Sequence, residues 1–264
     1  MARRRSSLVP ALWVPAGLAL GLLLLPLVAL VVRAPWAELP ALLAEPTVAQ
    51  ALLLSLGTAS VSTAVCLVLG IPLALVLARS AQWPAVPRRL LRALITVPLV
   101  LPPVVGGVAL LLLLGRRGLI GQFLPFQIPF STAAVVIAQT FVAMPFLVLA
   151  VEGALRASDR RFEVAAATLG ASRWTVFRRI TLPQVSPGVA AGALLCLCRA
   201  LGEFGATITF AGSFPGVTQT LPIATYLQLQ TNPDAAIALS LVLLLVSVGV
   251  LVSLRDRWVP GVTA

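Results

Sequence analysis

The sequence predicts an all-α integral membrane protein with six transmembrane helices and a helical loop between the fourth and fifth. Three observations predict it. Hydrophobic residues make up 59% of the 264 residues and charged residues only 10%, whereas a soluble domain carries about 25% charged residues. Apolar runs close to the roughly 20 residues needed to cross a bilayer recur six times. The arginines, which would suggest nucleic acid in a soluble basic chain of net charge +11, instead flank those runs. No nucleic-acid partner is expected; the partner of the apolar surface is lipid.

The six spans are expected at about 8–32, 51–78, 94–114, 132–151, 185–210 and 235–254. Together they form one transmembrane domain over 1–264. The first run follows Arg3, Arg4 and Arg5. It exceeds the roughly 7–15 residues of a signal-peptide core and shows no clean small-x-small cleavage site, so an uncleaved anchor is expected. With the N-terminus in the cytoplasm, the inner side holds Arg3, Arg4, Arg5, Arg79, Arg88, Arg89, Arg92, Arg156, Arg160, Arg161, Arg173, Arg178, Arg179, Arg255 and Arg257. The outer side holds Arg33, Arg116 and Arg117. Arginine favours the cytoplasmic side, so this bias puts both termini there.

The third span opens with VPLVLPPVVGG, in which Pro102, Pro103 and Gly106 interrupt an apolar run. Proline frees backbone carbonyls, and a bilayer tolerates that only where protein or water satisfies them. A kinked packing helix and a helix lining a pathway both fit. The fourth span carries Gln139, Thr140 and Pro145 with the same two readings.

The loop EGALRASDRRFEVAAATLGASRWTVFRRITLPQ, about 153–184, has helix signals. Asp159 can cap a helix whose first turn holds Glu163. Ala165, Ala166 and Ala167 favour helix, and Gly170 suits its left-handed end. Ser172 caps a second short helix, which Pro183 is expected to close. Small residues let the backbone press into a groove of another protein, with the arginines meeting acidic groups or lipid phosphates. An amphipathic helix resting on the membrane is the other reading.

The fifth span contains RALGEFGATITFAG. Arg199 and Glu203 are four apart and share a helix face. Charges at membrane depth are tolerated when paired or turned to protein or water. Gly202, Gly205 and Gly212 permit close backbone approach, and Thr207 and Thr209 add hydroxyls. The pair is either a packing salt bridge or a contact for a passing anion. Glu203 would repel an anion; Arg199 would attract one, and a transport path needs its sites weak. Outside this span, SFPGVTQTLPIATYLQLQTNPDAA is broken by Pro215, Gly216, Pro222 and Pro233 into short pieces. Asn232, Pro233 and Asp234 start the sixth span.

Several functions are excluded by residue types that the chain lacks. There is no lysine, hence no Walker A phosphate loop, and no histidine, hence no histidine base or triad. Asp159, Asp234 and Asp256 all lie outside the predicted spans, which excludes a paired-aspartate intramembrane protease. Cys66, Cys196 and Cys198 sit in apolar runs, and the last two point to different sides of a helix. No metal site, catalytic residue or bound cofactor is expected.

The loop also resembles a family. Permease subunits of binding-protein-dependent ABC importers carry E-A-A-x3-G-x9-I-x-L-P there. Ala165, Ala166, Gly170, Ile180, Leu182 and Pro183 fall on that pattern, while Val164 occupies the glutamate position and Glu163 lies one residue earlier. The segments PLVLPPVVGGVALLLLLGRRGLIG, AQTFVAMPF and RALGEFGATITFAGSFPGVTQTLPIATY resemble the molybdate/tungstate branch, close to the sulfate permeases. The likeness runs from about 52 to 254.

The resemblance implies a type I ABC importer permease fold. It makes the loop a coupling helix, with Glu163, Val164, Ala165, Ala166, Gly170, Ala171, Arg173, Ile180, Leu182 and Pro183 at the contact with a separate ATPase. It implies a homodimer, two cytoplasmic ATPase subunits that use ATP and Mg, and an extracytoplasmic oxyanion-binding protein. Arg116, Arg117, Gln219 and Thr220 are candidates for docking that protein, and the arginines are equally suited to anchor the membrane interface. Pro102, Pro103, Gly106, Gln139, Arg199, Glu203, Gly205, Thr207 and Thr209 are candidates for the pathway or a helix interface. The expected activity is ATP-driven import of molybdate or tungstate in a prokaryotic cell membrane. Alternatives are a sulfate or thiosulfate permease, and an ATP-independent channel or scaffold.

Overall fold

The computed structural model describes residues 12–258. Arg3, Arg4 and Arg5 and the start of the first predicted span lie outside the described residues. All regular elements among the described residues are helical.

Helix α1 (Trp13–Arg33) is apolar up to its final arginine and buries none of its residues. A short α2 (Leu39–Leu43) leads to α3 (Pro46–Arg79). The 34 residues of α3 give a length of about 51 Å, well beyond the roughly 30 Å hydrocarbon layer. The helix therefore starts before the predicted span at 51. Its inner face repeats every three or four residues: Ala51, Ser55, Thr58, Ala59, Ser62, Cys66, Gly70, Ala74 and Leu77 are buried. That stripe packs on α6 (Thr132–Ala157) and α9 (Leu182–Leu201). Small residues set the separation: a Cβ on Gly70 would lie 3.0 Å from Leu147, and one on Gly188 only 2.3 Å from Ala154. Close backbones supply dispersion contacts that the hydrophobic effect cannot supply inside lipid.

The predicted third span is not one helix. Helix α4 (Ala85–Val100) and α5 (Pro103–Leu114) meet at an angle of 114°. Consecutive prolines cause the break. A residue before proline is pushed out of the α region, and both Leu101 (ψ 131°) and Pro102 (ψ 132°) are extended. Among the described residues, five helices are long and apolar enough to cross a bilayer, and α4 with α5 makes a sixth if the bent pair counts as one span.

The predicted fifth span is also divided. α9 ends at Leu201, and α10 (Gly205–Ala211) restarts after three non-helical residues. Glu203 starts the new helix by accepting the Ala206 N–H at 2.8 Å. Gly212, at φ +74°, ends it.

In the loop, α7 (Arg161–Thr168) is followed by α8 (Arg173–Val176). Pro183 does not close this second helix. A wider π turn at Phe177–Thr181 joins α8 to α9, and Pro183 sits in the first turn of α9. Proline excludes the carbonyl four residues back, here that of Arg179. The π turn moves that carbonyl aside, so helix runs unbroken from Arg173 to Leu201. The predicted loop 153–184 is thereby shortened at both ends. Its first residues extend α6 to Ala157, and its last begin α9.

After Gly212 the segment is less fragmented than predicted. α11 (Leu221–Thr231) forms a single helix with Pro222 in its first turn. The Ser55 hydroxyl fixes its start by accepting the Leu221 N–H at 2.7 Å. Asn232 Oδ1 accepts the Ala235 N–H at 3.2 Å and opens α12 (Pro233–Trp258), as the sequence predicts.

Candidate functional site

The two helix breaks are stacked on each other. A Cβ on Gly205 would lie 2.8 Å from the Pro103 Cβ, and one on Gly107 would lie 2.7 Å from the Thr209 Cβ. The start of α5 therefore meets α10 backbone to backbone. Gly106 is buried against the Phe141 ring of α6, while Pro102 and Pro103 stay exposed.

Beside this joint lies the charge pair. Arg199 NH2 is 2.7 Å from Glu203 Oε2. The Glu203 side chain is 1% exposed and that of Arg199 is 26% exposed. The spacing of four does not place both on one helix, as the sequence suggests. Arg199 occupies the last turn of α9, and Glu203 lies in the break. One carboxylate thus faces the guanidinium with one oxygen and caps α10 with the other. A carboxylate at the start of a helix also meets its positive dipole end.

The other predicted polar positions scatter around this joint. Thr209 turns its hydroxyl back to the Gly205 carbonyl at 2.8 Å. Gln139 and Thr207 are buried, and Gln139 Oε1 and Thr207 Oγ1 have no hydrogen-bond partner among the described residues. Thr140 donates its hydroxyl to that of Ser62 on α3 at 3.1 Å.

The arginine-rich loop is built for exposure. Leu169 and Ala171 donate their N–H groups to the carbonyls of Ala165 and Ala166, closing α7. Gly170 supplies the left-handed residue at φ +83°. Ser172 Oγ accepts the Thr175 N–H at 3.2 Å to start α8. Val164 and Ala165 are exposed, as are Arg173 and Pro183. Ala166, Ala171, Ile180 and Leu182 are half-buried. Leu169 is 88% exposed, an unusual place for a leucine beside charged residues. Glu163 points inward instead, accepting the Thr181 hydroxyl at 2.6 Å. That contact ties α7 to the π turn.

At the far end, Gly115, Gly118 and Gly121 let the chain fold back on α5. Leu119 and Ile120 donate N–H groups to Leu112 and Leu113. The turn leaves Arg116 and Arg117 exposed. Gln219 is half-buried, but Thr220 is only 1% exposed. Thr220 therefore packs within the bundle and presents no docking surface in this chain; its place is set by α11, whose first turn it precedes.

Sequence reasoning missed one charged cluster. Glu152, nearly fully buried at the end of α6, pairs with Arg92 of α4 and with Arg156 at 2.7 Å. The Arg156 spacing of four was a readable signal. Arg92 is 60 positions away, and only the fold brings it there. Cys66 and Cys196, both buried, meet across α3 and α9 in the same core.

Comparison with known proteins agrees with this geometry. The family model for the binding-protein-dependent transport system inner membrane component matches residues 70–260. The molybdenum transport system permease protein ModB of Mycobacterium tuberculosis is 52% identical over 248 residues, covering 93% of each chain. The sulfate transport system permease protein CysT of Escherichia coli is 34% identical over 241 residues, covering 89% of this chain and 86% of the relative. Among solved structures, a bacterial ABC transporter that imports alginate superposes with a TM-score of 0.71 at 16% identity, covering 94% of this chain and 93% of that chain. That likeness speaks for the fold. The family match over most of the chain, on a fold with this loop and these divided helices, shows that the chain belongs to the binding-protein-dependent transport system inner membrane components.

Proposed function

We propose that this chain is the membrane-spanning subunit of an ATP-driven molybdate importer in a prokaryotic cell membrane. The observation that carries the cargo is the 52% identity, over nearly the full length of both chains, to a molybdenum transport permease. Tungstate, a tetrahedral dianion of the same kind, is a second cargo for the same path.

The mechanism we infer is alternating access by two copies of the chain. The arginine-rich end is cytoplasmic. There α7 and the exposed Leu169 dock into an ATPase subunit on each copy, and nucleotide binding draws the two loops together. That motion opens the pathway outward, where a binding protein releases its oxyanion; hydrolysis returns the pathway inward. Arg116 and Arg117 stand where they can meet an acidic docking surface or draw a dianion to the mouth. Arg199, already committed to Glu203, offers only a weakened positive charge. That suits a path where an anion must leave as readily as it enters.

A second reading, a sulfate permease, is favoured by the 34% identity to a sulfate permease. Uptake into proteoliposomes containing the chain, its ATPase and the binding protein separates the two. Labelled molybdate uptake that needs ATP and is blocked by tungstate, but not by excess sulfate, is the expected result. Equal block by sulfate moves the chain to the sulfate reading. Absence of ATP-dependent uptake by an intact complex overturns both.

A further inference from the structure

At the arginine-rich end, a cavity of about 220 Å³ opens between the last turns of α3 and α6 and the start of α7. Three arginines reach it from three different elements: Arg79, Arg156 and Arg160. The rest of its lining sets Leu75, Ala78 and Leu155 beside Ser158 and Glu163. Arg156 is already paired with Glu152. Arg79 and Arg160 are exposed and have no ion-pair partner among the described residues. Glu163 also borders the cavity, but its Oε1 is occupied by the Thr181 hydroxyl. The lining therefore keeps an excess of positive charge.

Like charges gathered around one cavity repel, and an anion relieves that repulsion. The depth of the site says which kind. Arg79 closes the apolar run of α3, and Arg156 lies in the last turn of α6, so the cavity sits where hydrocarbon gives way to headgroups. A free oxyanion has no use for a leucine wall. An amphiphile does: its phosphate meets guanidinium groups, which bind phosphate by paired N–H donors, and its glycerol and upper acyl carbons meet Leu75 and Leu155.

We propose that this cavity is a binding site for an anionic phospholipid, with the headgroup phosphate held by Arg79 and Arg160 and completed by Arg156. The lipid would fill the space between the membrane helices and the loop and brace the loop from below. The proposal stands apart from the cargo, since it uses no residue of the α5–α10 joint.

The test uses the full-length chain in detergent, stripped of lipid and then given phosphatidylglycerol or phosphatidylcholine, with bound lipid counted by native mass spectrometry. Phosphatidylglycerol should be retained over phosphatidylcholine. Each of Arg79→Gln and Arg160→Gln should weaken that retention about fivefold, the effect of one basic residue near an anionic lipid. Arg79→Lys should keep most of it, which separates loss of charge from loss of fold. Equal retention of the two lipids, or unchanged retention in the double glutamine variant, would overturn the proposal. Displacement of phosphatidylglycerol by millimolar inorganic phosphate or molybdate would assign the cavity to a free oxyanion and overturn it as well.

Discussion

Arg199 and Glu203 face each other across the end of a helix, 2.7 Å apart, with the carboxylate 1% exposed. The same carboxylate holds the first turn of α10 through Ala206. Its removal strands a guanidinium and an amide together. Glu203→Ala should destabilise the protein by about 3–5 kcal/mol, the cost of breaking a buried pair. Arg199→Ala combined with Glu203→Ala should cost clearly less than the two single changes summed. Thermal unfolding of the four proteins in detergent gives the cycle, and additive losses would show that the two residues do not act as a pair.

Neighbouring glycines should respond differently. A Cβ on Gly107 meets backbone at the Ala206 carbonyl, 2.8 Å away, as well as Thr209. A Cβ on Gly106 meets the edge of the Phe141 ring at 3.0 Å, and a ring can swing. Gly107→Ala should therefore cost about 1–3 kcal/mol and Gly106→Ala less than about 1 kcal/mol. Equal melting temperatures for the two variants would contradict the close approach of α5 and α10.

Leu169 makes a sharper test of docking than of stability. At 88% exposure it contributes little to the isolated fold, so Leu169→Ala should leave the melting temperature unchanged. A central apolar anchor at an interface is worth about 2 kcal/mol, so ATPase association should weaken by more than tenfold. Titration of the purified ATPase onto the wild-type and variant chains measures it. Unchanged affinity would remove the loop from the interface.

Gly170 tests the shape of the same loop. At φ +83° a side chain costs about 1–2 kcal/mol through the left-handed backbone, although the space around it is open. Gly170→Ala should loosen the end of α7 and lower ATPase co-purification, and Gly170→Asn should recover part of it. Loss to the same extent in both variants would show that backbone conformation is not what the position supplies.

The link between Glu163 and Thr181 should matter for transmission. Its 2.6 Å hydrogen bond, made by a carboxylate, is worth about 1.5–3 kcal/mol. In Thr181→Val the ATPase should still bind and hydrolyse ATP, while uptake per ATP falls. A variant with normal uptake would show that α7 needs no tie to the π turn.

The apolar helices were legible because an apolar run of membrane length suits little besides a bilayer, and the loop helices because their caps are local. The signals for Ser172, Gly170 and Asn232 are read within three or four residues, and each of these residues sits where it was expected. The breaks were harder. Pro102 and Pro103 announced a disturbance but not an angle of 114°, which depends on what α5 packs against. The ending of α9 at Leu201 had one local signal, Gly202, which the apolar run around it masked; the long-range fit of Gly205 on Pro103 and the capping by Glu203 complete the break. Pro183 misled for a physical reason. A proline ends a helix only if the carbonyl four residues earlier stays in place, and the π turn moved it. Thr220 looked exposed beside a polar loop, yet the bond from Leu221 to Ser55 draws that segment into the bundle.

The unbroken helix from Arg173 to Leu201 has a mechanical consequence. Its 29 residues span about 43 Å, with the arginine-rich loop at one end and Arg199 near the other. A sideways push of about 5 Å at the loop, one helical pitch, tilts such a rod by roughly 7° if it pivots at its far end. Such a helix has the geometry of a long lever: a small rotation about the charge pair corresponds to a large displacement at the loop.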